Sequence, residues 1–366
     1  MANQRRAAAV RAPRLCHRRH VRPRLGTVFR PAAFHDAAVA TGGTMNDTID
    51  TIGKHSIGAR NPSTVSAGVP RLAARGERAL RVLSEADWRH WTENGYVVVR
   101  DAVPRATVER IEALIWQFEE MDPADPTTWY PPEKVKLRRT ELSYNAGMVE
   151  LYHHQLLWDA RQSPRVHGAF ADLWGTPELW VSIDRVNLNL PPEPGFAFKG
   201  FMHYDYDPDG AADSVQGVLS ISDQLDPEVG GFSCIPQLFR DYPAWRARQP
   251  ADFDWYRPDV AGLPVERVPL AKGDLLIFNS RLCHGIRQNV SRNKARIAQY
   301  IAMLPAREDD AAAREWRVRC WRERLAPQGY SLHGDARAIE RTRYDTAQLT
   351  PLGERLLGLT SWREQF

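Results

Sequence analysis

Residues 199–210 read KGFMHYDYDPDG, and at their centre a histidine and a carboxylate, His203 and Asp205, stand one residue apart before the turn-forming Asp-Pro-Asp-Gly. On extended backbone, side chains two apart point to the same face. An imidazole nitrogen and a carboxylate oxygen can therefore aim at one point. The later histidine with the best context is His284, just past the apolar run LLIF in GDLLIFNSRLCHGIRQNVSRNKARIAQY. His-X-Asp with one distant histidine is the donor set that holds non-haem Fe(II) while leaving coordination positions open. Zinc more often recruits a further histidine or a cysteine.

Arg296 sharpens the reading. It lies twelve residues after His284, at the head of RIAQYIAML. An iron site that activates O2 needs two further electrons, commonly supplied by a 2-oxo acid chelating the metal. The far carboxylate of that acid needs a fixed cationic fork, which arginine supplies in bidentate geometry. Arg292 is a rival four residues earlier, but the position at the strand head favours Arg296.

The elements that must position these groups change character along the chain. In LSEADWRHWTENGYVVVRDAVP (83–104), Ser84 and Asp87 have the form of a helix cap, and Asn94-Gly95 stops the helix before the strand YVVV. Pro104 opens a second amphipathic helix, and helical character returns around MVELYHHQLLWDARQ and VHGAFADLWG. From Leu179 short β-rich runs follow: ELWVSIDRVNLNL, GFMHYDY, SVQGVLSIS, GGFSCIP, GDLLIFNS and ARIAQYIAML. Pro-Glu-Pro-Gly, Asp-Pro-Asp-Gly and Gly-Gly punctuate them. The expected fold is mainly β with flanking helices (α+β), an antiparallel sandwich or jelly roll.

These motifs resemble the phytanoyl-CoA dioxygenase family of Fe(II)/2-oxoglutarate oxygenases over residues 83 to about 305 and into the tail. The resemblance lies in LSEADWRHWTENGYVVVRDAV, in HYD, in GGFSCIP, and in HGIRQNVSRNKAR, where Asn289, Ser291 and Arg296 follow His284 at about the family's spacing. It implies a double-stranded β-helix, iron at His203, Asp205 and His284, and 2-oxoglutarate held by Arg296. Two departures stand out. Pro236-Gln237-Leu238-Phe239 replaces the family's Pro-Gly-Ser-His, and Ile286 stands where many members place Ser or Thr. Asn189 is the candidate substitute polar contact to the co-substrate. Because Asp205 is a carboxylate, hydroxylation is favoured over halogenation, whose enzymes carry a small residue there to admit chloride.

Composition sets the outer bounds. At 366 residues, 43% hydrophobic and 26% charged, the chain is that of a soluble globular protein. No window approaches the roughly 18 consecutive apolar residues of a membrane helix. The net charge of +4 is local: nine arginines and a single acid, Asp36, precede Met45, so the remainder is near or below neutral. A nucleic-acid role would rest on that tail alone. Residues 1–80 are expected to lie outside the fold. Residues 1–44 read as an organellar presequence, a disordered basic arm, or, the reading favoured, translated upstream sequence with Met45 as the start. Residues 81–366 are expected to form one oxygenase domain, with helices outside a barrel core at about 179–305 and a C-terminal cap. Cys16, Cys234, Cys283 and Cys320 form no CxxC pair and read as reduced thiols of a cytoplasmic protein.

Other polar residues take ordinary roles. His153 and His154 are expected on a helix, pointing about 100° apart and so not sharing a metal; His90 and His333 are likewise structural. Lys136, Arg138 and Arg139 read as a solvated run. Trp255 and Tyr256, in the insertion DFDWYRPD, are candidates for a substrate wall.

The sequence thus points to an oxygenase using Fe(2+), 2-oxoglutarate and O2 on a small organic substrate, with neither nucleic acid nor membrane as partner. The alternatives are desaturation or cyclisation with the same cofactors, or a non-catalytic jelly-roll binding protein.

Overall fold

A computed structural model describes residues 72, 74–130, 147–191, 200–210, 213–327 and 335–364. These all fall within one compact unit, Thr44–Phe366. Lys136, Arg138, Arg139, His333, Cys16 and the basic stretch before Met45 lie outside the described residues.

The chain enters through helix α1 (Glu85–Asn94), capped as its sequence demands: Ser84 and Asp87 exchange side-chain-to-backbone hydrogen bonds in a capping box, and Gly95 closes the helix at φ 75°. Strand β1 (Tyr96–Val99) and helix α2 (Arg105–Phe118) follow. Helix α2 buries Val108, Ile111, Leu114, Ile115 and Phe118, the stripe its 3.6-residue period sets.

The strands β2 (Met148–Val149), β3 (Leu179–Val181), β4 (Val186–Asn189), β5 (Val215–Ser220), β6 (Gly231–Cys234), β7 (Glu266–Arg267), β8 (Leu275–Asn279), β9 (His284–Arg287), β10 (Arg296–Tyr300) and β11 (Met303–Pro305) pair antiparallel throughout. The large sheet runs β1-β8-β5-β10-β4-β2, and the small one β7-β6-β9. Alternation along the central strands divides the core in two. Leu275 and Ile277 of β8, Val215 and Leu219 of β5 and Ile297 of β10 pack outward with α2 and helix α3 (Gln155–Arg161) and helix α4 (Pro164–Trp174). Their neighbours Leu276, Phe278, Val218 and Ala298 face inward, against Phe232 and Cys234 of the small sheet. The two sheets therefore enclose one interior. Polar residues of inward parity, Asn187, Asn189, Gln216 and Arg296, must be accommodated inside it.

Three expectations are corrected. Residues 148–154 are not helical, because the backbone N–H groups of Tyr152 and His153 bind the carboxylate of Glu340 at 2.9 and 2.5 Å and are spent there. Helix α3 starts only at Gln155, with His154 as its cap. GFMHYDY forms no regular strand; His203 makes a single bridge to His284. ARIAQYIAML breaks into two strands, β10 and β11, in different sheets.

Helix α5 (Pro236–Arg246) follows β6 and buries Leu238 and Trp245 against Tyr204, whereas the tail helices α6 (Ala311–Glu323), α7 (Ile339–Arg343) and α8 (Pro351–Leu357) lie against the outer core. Arg317 of α6 is buried and donates to the carbonyls of Leu357 at 2.9 Å, Leu356 at 3.0 Å and Val181 at 2.5 Å. It ties the end of α8 to β3. Arg317→Met should lower the unfolding free energy by roughly 3 kcal/mol, the scale of stranding buried acceptors, read as a lower urea midpoint. An unchanged midpoint would show that the tie contributes nothing.

Candidate metal centre

His203 and His284 are neighbours through the backbone first. His203 N donates to His284 O at 2.8 Å, and His284 N donates to His203 O at 3.0 Å. Local extension at residues 203–205 is enough for the alternation expected from the sequence. Tyr204 turns away into a cluster with Ile235, Leu238, Trp245 and Cys283, while His203 and Asp205 share the other side.

The tautomers follow from the carbonyls. His284 Nδ1 lies 2.9 Å from Leu282 O, and His203 Nδ1 lies 3.3 Å from Phe201 O. A carbonyl only accepts, so each Nδ1 carries the hydrogen and each Nε2 keeps a free lone pair. Those two Nε2 atoms face Asp205: His203 Nε2 is 3.4 Å from Oδ1, and His284 Nε2 is 3.3 Å from Oδ2. The donor atoms of all three residues lie within 4.8 Å of one another. Burial pushes the Asp205 carboxyl up, but whenever the rings are protonated the charge of His284 and the hydrogen bonds from both imidazoles outweigh it and hold the group well below the usual carboxylate range; a bound cation would stand in for those protons. Phe232, stacked on the His284 ring at 5.6 Å, and Phe278 at 4.4 Å fix that ring. Two neutral imidazoles and one carboxylate fit a divalent, borderline-hard cation.

Gly285 allows this approach. A Cβ there would sit 2.3 Å from Phe201 O and 3.3 Å from Met202 Sδ, so residues 201–203 lie against bare backbone. Gly285→Ala should force that segment off β9, costing about 1–3 kcal/mol of stability and lowering Fe(II) affinity at least about tenfold. Wild-type affinity in a metal titration of this variant would refute the dependence.

The second part of the interior is Arg296, with no exposure to solvent. Nε donates to Gln224 Oε1 at 3.2 Å, and Nη1 donates to Asn187 Oδ1 at 2.9 Å and Asn189 Oδ1 at 3.1 Å. Nη2 is buried with no partner, and no carboxylate pairs with the guanidinium among the described residues. A buried cation held only by neutral amides lacks its anion. A carboxylate bound at Nη2 would supply it, so the residues present fit a 2-oxo acid. Asn189, expected as a polar contact to the co-substrate, meets the guanidinium itself. Asn289 and Ser291 brace the turn before β10: Asn289 Nδ2 donates to Lys294 O at 2.7 Å, and Ser291 Oγ donates to Asn289 Oδ1 at 2.6 Å.

Of the two expected wall residues, Tyr256 reaches the site and Trp255 stays beside it. Tyr256 is buried, with its ring 5.8 Å from His203 and 5.3 Å from Phe201. Burial, then the nearby Asp205 charge, pushes its phenol up. His153 is buried and pushed down to about 3 by burial, with Nε2 on Leu325 O at 2.8 Å; it is a neutral core group, far in role from metal ligation. Ile286 packs against the inner core, so no hydroxyl stands two after His284. Gln216, Gln224 and Asn187 escaped the sequence reading. Inward parity on β5 and β4 was the signal that could have found the first and third.

A histidine pair with one carboxylate, beside an unneutralised arginine between antiparallel sheets, defines the class of 2-oxoglutarate-dependent non-haem iron oxygenases. The family model for phytanoyl-CoA dioxygenase matches residues 91–298, more than half of the chain, and the protein belongs to that family. It is 28% identical over 293 residues to the "Ava biosynthesis cluster protein O" of Aspergillus versicolor, covering 72% of this chain and 92% of that one. A probable phytanoyl-CoA dioxygenase of Caenorhabditis elegans is 20% identical over 57% of this chain and 71% of its own. In fold, a hypothetical protein of Escherichia coli superposes with a TM-score of 0.55 at 18% identity, covering 75% of this chain and 82% of its own.

Proposed function

We propose that the protein hydroxylates a C–H bond of a small organic molecule, consuming 2-oxoglutarate and O2 and releasing succinate and CO2. His203, Asp205 and His284 would hold Fe(II), and Arg296 would anchor the far carboxylate of 2-oxoglutarate. When bound, the iron and its 2-oxo acid supply the oxidising power for a substrate C–H bond. The chain's own residues orient and exclude water: the amides of Gln224, Asn187 and Asn189 fix the guanidinium fork. Phe201 and Tyr256 offer an aromatic wall beside His203 on which a substrate can rest. A double-stranded β-helix accords with the two facing antiparallel sheets, with the barrel at about 179–305 and helices outside it.

The single observation that carries this reading is the unpartnered Nη2 of a fully buried arginine. A binding module that had lost its chemistry would have no need to keep an unneutralised cation inside. The relative named for a biosynthesis cluster supports a small natural product as substrate. Buried, unpaired Cys234, Cys283 and Cys320 support a reducing, cytoplasmic setting.

The test is release of succinate from 2-oxoglutarate by protein loaded with Fe(II) in air, with a metabolite panel screened for stimulation. Release that needs both iron and 2-oxoglutarate, and rises with one panel member, is the expected result. No release with any member would sink the proposal.

A further inference from the structure

The carboxylate of Asp205 has a partner that no metal-binding motif contains. Gln216 sits on β5, in register opposite Phe278 of β8, with inward parity. Its Nε2 donates to Asp205 Oδ2 at 2.5 Å. The amide must present its nitrogen here, because its oxygen would repel the carboxylate. Asp205 is 5% exposed, so this is a charge-assisted bond shielded from water. It is also asymmetric. Each oxygen faces one imidazole, Oδ1 that of His203 at 3.4 Å and Oδ2 that of His284 at 3.3 Å, but only Oδ2 also takes the amide donor.

We propose that Gln216 is a positioning residue that occupies Oδ2 of Asp205 and so restricts the carboxylate to one oxygen toward the metal. The inference rests on the proposed iron site. Its consequence is a count of coordination positions. Three single-atom protein donors leave the metal open to a chelating 2-oxo acid and to O2. A carboxylate free to swing and bind through both oxygens would fill one of those positions. Gln216 comes from the centre of the large sheet, where β5 is paired with β8 along its length, so its Cα is anchored independently of the 203–205 segment.

Anaerobic titration with Co(II), a coloured stand-in for Fe(II), tests this without turnover. Wild type is compared with Gln216→Met and Gln216→Leu, which both lack the donor, and with Asp205→Ala. Outer partners of metal ligands typically govern affinity by 10–100-fold. Both Gln216 variants should bind Co(II) about tenfold or more weakly, with visible bands changed in intensity as the coordination number changes, while remaining folded with a cooperative urea transition whose midpoint falls because the buried carboxylate loses its donor. Wild-type affinity and bands in the two variants would overturn the proposal. So would weakened binding with wild-type bands, because that is loss of fold support rather than of denticity control. Wild-type Co(II) binding by Asp205→Ala would instead overturn the metal site itself.

Discussion

Arg296→Leu is expected to leave a folded protein that no longer retains 2-oxoglutarate. The guanidinium has no exposure and no counter-ion among the described residues, so its replacement removes a buried charge rather than breaking a pair. Folding should survive at a lower unfolding midpoint, because the amide oxygens of Gln224, Asn187 and Asn189 lose their donor. Binding should not, because the co-substrate's far carboxylate would enter a pocket whose remaining groups include the amides of Gln224, Asn187 and Asn189. Truncating one partner of a buried, hydrogen-bonded charge pair costs about 2–5 kcal/mol. The dissociation constant should therefore rise by roughly a hundredfold or more. Thermal unfolding reads it out: 2-oxoglutarate with Fe(II) should raise the midpoint of wild type but not of the variant. Equal shifts in both would remove Arg296 from the co-substrate site.

Loss of a proposed metal donor should be larger still. In Asp205→Ala the two imidazoles lose the only anionic donor of the cluster, and in His284→Ala a remote strand loses its contribution. Each should weaken Fe(II) binding by more than the 10–100-fold typical of an outer partner. Neither variant should show the metal-to-ligand charge-transfer band of an Fe(II)–2-oxoglutarate complex. Persistence of that band in either would break the assignment.

Much of the centre was legible because its groups are either neighbours in sequence or tied to strong local signals. His203 and Asp205 need only two residues of extended chain, and His284 follows an apolar strand that no other element could be. What surrounds them was less legible. Gln216 is eleven residues beyond Asp205 along a loop and strand, and Gln224 reaches Arg296 over a separation of 72. Such contacts depend on strand register, which spacing within one segment does not encode. The helical expectation for 148–154 failed for a related reason. The carboxylate that claims those N–H groups comes from Glu340, near the other end of the chain.

The reciprocal hydrogen bonds joining His203 and His284 give the centre one more property. Because reciprocal backbone hydrogen bonds bring the two rings together, the fold itself builds this part of the receptacle. Chelator stripping should be reversible, with reloading as a simple second-order uptake and no slow refolding phase.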